Sequence, residues 1–146
     1  MRLVVAALML TLVPPVATEP PPNISGPASV TDGYTIRVLG FPIRLHGIAA
    51  PERGTPGGPE SKDNLERLVG AQSVSCTPDG TKAGNSIVAV CLVGGRNIAE
   101  IQVEQGHARD CPRFSGGRYA AAEARARSAG RDLSRSYALP SYCLSR

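Results

Sequence analysis

Four cysteines, Cys76, Cys91, Cys111 and Cys143, carry the most directly readable chemistry of this 146-residue chain. An even count in an oxidising compartment points to disulfides, and sequence alone leaves three pairings open. The favoured pairing joins Cys76 to Cys91, which sit in neighbouring strand-like runs, and Cys111 to Cys143, which bracket a helix and the tail. On the loop-entropy model the two bridges contribute about 3 and about 4 kcal/mol. Zinc is the competing use of the thiols, but no C-x-x-C pair or nearby His supplies its ligand spacing. A second candidate is the alternating run 43–48, where Arg44 and His46 share one strand face. A metal at His46 needs partners that the strand does not offer. A third is charge: the formal net charge is +4, yet from Arg109 onward eight arginines face only Asp110, Glu123 and Asp132. Such a segment attracts nucleic acid or another polyanion, with Phe114, Tyr119 and Tyr137 as sparse stacking surfaces, unless it is simply a solvated face.

The elements that must position these residues follow from hydropathy and turn chemistry. Residues 1–18 carry Arg2, an apolar run from Leu3 to Val13 closed by Pro14 and Pro15, and then small residues, the layout of a secretory signal. The run is too short to span a bilayer, and no later segment is apolar enough to do so. The expectation is therefore a secreted or periplasmic protein. Residues 19–26 read as a proline-rich linker, with Asn23-Ile24-Ser25 a plain linker before a glycosylation acceptor. Residues 27–146 suffice for one small domain, with a core of Val, Ile, Leu and Ala because tryptophan is absent.

Strands are expected at 27–30, 35–39, 43–48, 73–76 and 87–93, the first two joined by an Asp-Gly turn. A helix begins near Pro59, with Leu65, Leu68 and Val69 as its stripe and Gly70 as its stop. Further helices are expected at 97–105 and, on alanine content, at 117–129. The fold class is α+β, mostly β: a five-stranded Greek-key barrel with one inserted helix and C-terminal helices.

Several runs carry a resemblance. They are Thr31-Asp32-Gly33-x-Thr35-Ile36, Ile43-Arg44-Leu45-x-Gly47-Ile48-x-Ala50-Pro51-Glu52 and Leu65-x-x-Leu68-Val69-Gly70. Val88-Ala89-x-Cys91, residues 97–108 and Tyr119-x-x-Ala122-Glu123-x-x-Ala126 extend it. The chain resembles the thermonuclease-like, or staphylococcal nuclease-like, family, whose OB-fold members hydrolyse DNA and RNA with calcium. The pairing of Cys76 with Cys91 also resembles a disulfide variant of exported bacterial members. In the family, carboxylates hold calcium, a glutamate acts as general base and two arginines neutralise charge on the phosphate. Arg44 matches the first arginine and Glu52 the glutamate.

Three positions depart from that pattern. Tyr34 stands where the aspartate after Asp32-Gly33 is expected, and Ala49 where the aspartate before Ala50-Pro51-Glu52 is expected. Both calcium carboxylates are thus replaced, and calcium affinity depends strongly on charged ligands. The second arginine falls on Ser86, beside Asn85. Losing one transition-state charge stabiliser removes about 3 kcal/mol, or two orders of magnitude in rate. His46, Arg53, Glu60 and Asp63 are near enough in sequence to compensate, each with a solvated side chain as the plainer reading.

The resemblance with its departures implies a degenerate domain that keeps the barrel and an anion pocket around Arg44 and serves as a binding or accessory module. Two rival readings stand beside it. One is a metal-dependent phosphodiesterase using Glu52 and Arg44; the other is an interaction domain in which Arg44 and Glu52 merely pair with each other.

Overall fold

The computed structural model describes residues 11–15 and 22–144; residues 1–10, 16–21 and 145–146, which hold most of the expected signal and the start of the expected linker, lie outside them. The inward alternation that begins at Ile24 and Gly26 starts β1 (Ile24–Asp32) three residues earlier than the proline content suggests. Its first half pairs with β5 through Ile24 and Cys76, and its second half with β2 through Ala28 and Val38. One long strand therefore serves two neighbours.

β2 (Thr35–Val38) and β3 (Phe41–Leu45) complete an antiparallel meander, and β4 (Ile48–Ala49) follows after a break at His46 and Gly47. The expected strand 43–48 is interrupted there because Gly47 turns at φ +77°, where an added Cβ would lie 2.9 Å from Ser115. β5 (Ser73–Ala83) and β6 (Ser86–Val93) form a hairpin much longer than the expected runs. The stretch holding Pro78, Asp79 and Gly80, expected as a loop, is absorbed by a register shift between Pro78 and Lys82. Parallel pairing of β3 with β6 closes the five strands β1, β2, β3, β5 and β6 into a barrel. Short β7 (Arg96–Asn97) and β8 (Arg109–Asp110) extend the sheet and pair with β4, respectively.

α1 (Gly58–Val69), inserted between β4 and β5, opens with proline and Glu60 in its first turn and buries Ser61, Asn64, Leu65 and Val69 along one face. α2 (Ile98–Glu104) is capped by Asn97, whose side chain accepts from the Ala99 and Glu100 amides, and is buried along most of its length. The expected helix 117–129 begins later, as α4 (Ala120–Ser128), and an unexpected short α3 (Pro112–Ser115) precedes it, the two separated where Gly116 and Gly117 take positive φ. Only Ala122 and Ala126 of α4 are buried, small side chains that let it lie closely on α2.

The core runs through the barrel from Ile24, Ile36, Ile43 and Leu45 to Val74, Ala89, Ile98 and the fully buried Tyr119. Both expected disulfides are present. Cys76–Cys91 crosses directly opposed residues of β5 and β6, and Cys111–Cys143 ties the tail to the start of α3.

Candidate functional site

The β1–β2 turn sets the site. Asp32 Oδ1 accepts the Tyr34 amide at 2.9 Å, an Asx turn that spends the carboxylate oxygen on its own backbone. Buried Gln102 of α2 donates to Gly33 O at 3.1 Å and Ser61 O at 2.7 Å, and accepts from Asn64 Nδ2 at 2.8 Å. The turn is thereby fastened to both helices, and the Tyr34 ring is delivered beneath Arg44.

Tyr34 occupies both retained charged residues. The Arg44 guanidinium carbon lies 4.2 Å from the centre of its ring, and its hydroxyl donates to Glu52 Oε1 at 2.7 Å. Burial first, and then this hydrogen bond to Glu52, push the phenol well above its usual range. Glu52 is held by close packing of its loop on α1: a Cβ at Gly58 would lie 1.9 Å from Glu52 O. Arg44 and Glu52 do not meet as a pair; the phenol stands between them.

The C-terminal tail also reaches Arg44. Its Nη2 donates to Tyr142 Oη at 3.4 Å and lies 3.5 Å from Ile48 O, and the Tyr142 ring centre is 6.0 Å from the guanidinium carbon. Arginine between two tyrosines gains cation–π attraction of about 0.5–2 kcal/mol per ring. Tyr137 belongs to the same neighbourhood: burial, then Tyr142 and Glu52, push its hydroxyl up to about 12. Ala49 is fully buried in a cluster with Cys111 and Cys143, against which Tyr137 and Leu139 pack.

At the two positions where the resemblance expects calcium aspartates there are thus a phenol and a methyl group beneath a disulfide. Among the described residues no three of His, Cys, Asp and Glu converge. Calcium takes six to eight oxygens, and the nearby donors, Asp32 committed to its turn and Glu52 to a phenol, are a poor fit to it. Ser86, at the position expected for the second arginine, begins β6 opposite Ala83.

Arg44 and His46 do line one space, a cleft of about 650 Å³ between the β5–β6 hairpin and α3. His46 Nε2 lies 3.8 Å from Asp79 Oδ2 across it. Arg53 is exposed on the loop after Glu52, and Glu60 and Asp63 are exposed on α1; none of the three lines the cleft. Lys82 and Tyr142 line it and escaped the sequence reading. The signal for Tyr142 was its position beside a half-cystine: pairing Cys143 with Cys111 brings it to Phe114, with ring centres 6.5 Å apart.

Four arginines of the basic C-terminal segment are ion-paired. Arg109 meets Glu123 at 2.7 Å, Arg125 meets Glu100 and Glu104, and Arg127 and Arg135 converge on Asp132. Glu123 also accepts the Asp110 amide at 3.1 Å, and Arg109 donates to Tyr137 O at 3.1 Å, so this pair fixes the tail that carries Tyr142.

Comparison with known proteins agrees with this architecture. Residues 42–134 match the family described as staphylococcal nuclease homologue. A curated protein of Rhizobium meliloti (strain 1021), the succinoglycan biosynthesis protein ExoI, is 32% identical over 139 residues, covering 87% of this chain and 71% of its own length. Among the described residues no helix is long and apolar enough to cross a membrane.

Proposed function

This chain belongs to the staphylococcal nuclease homologue family, and from that premise we propose that it is an exported, disulfide-stapled domain that binds an anionic ligand without cleaving phosphodiesters. One observation carries the reading: a single side chain, Tyr34, stacks under Arg44 and hydrogen-bonds Glu52, so both retained polar groups are engaged by protein. A general base whose oxygen accepts from a phenol is less available to a water, and a guanidinium between two rings is less free to follow charge onto a phosphate.

The loss is also hard to reverse. Ala49 supports the Cys111–Cys143 bridge, so a carboxylate there would be buried in an apolar cluster. What remains is a fixed positive group at the edge of an open cleft, which suits binding. The oxidised chain with its two disulfides fits an oxidising compartment, as does the signal-like start.

Calorimetric titration with calcium tests the metal half of this reading. Saturable binding is not expected at millimolar calcium. Tight binding abolished by Glu52→Gln would contradict it and favour a metal-dependent phosphodiesterase built on Glu52 and Arg44.

A further inference from the structure

The cleft beside Arg44 has a composition of its own. Three cations stand around it from three elements, Arg44 on β3, Lys82 on β5 and Arg113 on α3, and among the described residues none of the three is ion-paired. The arginines of α4 and the tail, by contrast, mostly face carboxylates. Positive charge without a carboxylate partner therefore stands at three discrete points around one space of about 650 Å³, the size of an ordinary small-ligand pocket. It does not form the continuous track that a phosphate backbone follows.

The wall also holds a carboxylate. Asp79 Oδ1 accepts the Thr81 amide at 2.8 Å and its hydroxyl at 2.7 Å, which fixes the side chain with Oδ2 toward His46. A fixed carboxylate repels closely spaced phosphates, whereas it accepts hydrogen bonds from hydroxyl groups. Opposite it lie two half-exposed rings, Phe114 and Tyr142, 54% and 44% exposed and inclined at 53° to each other. That inclination makes a trough and not the parallel slot that grips a flat base; it suits the C–H faces of a puckered ring.

Resting on the reading of a non-cleaving anion binder, we propose that this cleft binds an acidic oligosaccharide: hydroxyl-rich rings bearing isolated carboxylates. The carboxylates meet Arg44, Lys82 and Arg113, the hydroxyls meet Asp79, and a sugar face rests on Phe114 and Tyr142.

The test is calorimetric titration of the oxidised protein with trigalacturonate, its methyl ester and hexathymidylate. Trigalacturonate binds, and the uncharged ester binds about tenfold more weakly or worse. Arg113→Ala and Lys82→Ala each weaken trigalacturonate about three- to tenfold, the usual effect of a rim charge, with an unchanged melting temperature. Asp79→Asn weakens trigalacturonate and strengthens hexathymidylate. Hexathymidylate bound more tightly than the sugar acid, through the same cations and left intact, would overturn the saccharide assignment and leave the anion-binding reading standing. No binding of either anion would overturn both, and cleavage of hexathymidylate would remove the reading on which the assignment rests.

Discussion

Tyr34 does at the scale of one residue what the rest of the site accommodates. Its ring and hydroxyl join Arg44 to Glu52, and its phenol is held protonated by burial and by the bond it donates. Because the folded value lies above the ordinary 10.0, the phenol's stabilising contribution is complete below pH 10.0 and is lost as pH rises beyond it. Spectrophotometric titration should show this tyrosine ionising late, and Glu52→Gln should bring it down. Ala49 argues in the same direction. Ala49→Asp buries a carboxylate among Cys111, Cys143 and Leu139, and should lower unfolding free energy by about 3–5 kcal/mol in denaturant titration. A family member poised to recover its metal would tolerate that change.

At the scale of elements the tail is the decisive piece. The Cys111–Cys143 bridge closes a 32-residue separation and brings Tyr142 over Arg44 and Tyr137 toward Glu52. Replacing both cysteines by serine should cost about 4 kcal/mol on the loop-entropy account, read as a lower denaturant midpoint. Much of this was legible beforehand. The inserted helix and the barrel strands follow from alternation, caps and glycine stops that act locally, and the favoured disulfide pairing, one of three that the sequence leaves open, is the one the structure has. The hairpin 73–93 was not: Pro78, Asp79 and Gly80 read as a loop, while pairing across a bulge, set by the opposite strand, made them sheet. The cleft wall formed by Asp79 and Lys82 was hidden with it. Tyr142 was hidden because its contact with Arg44 spans 98 residues and depends on a bridge, not on local pattern.

Over the whole molecule, charge and burial are rearranged in ways that composition hides. A count of arginines predicts a basic C-terminal face, yet the fold pairs four of those eight arginines, Arg109, Arg125, Arg127 and Arg135, with Glu100, Glu104, Glu123 and Asp132. The buried Gln102 links α2 to α1 and to the turn carrying Tyr34. Gln102→Leu strands those partners and should cost about 1–3 kcal/mol for each group left unsatisfied, seen in thermal unfolding. His107, packed near Arg67, is pushed below its ordinary 6.5, first by burial and then by that arginine. The unfolded chain therefore takes up a proton there before the folded one does. Stability should fall as pH drops below 6.5 and level off beneath the folded value, a slope that His107→Gln removes. The most direct measurement concerns the site as a whole: oxidised protein incubated with labelled single-stranded DNA and millimolar calcium, alongside Glu52→Ala. The account predicts intact DNA with both proteins. Rapid cleavage by the native chain that vanishes in the variant would contradict it.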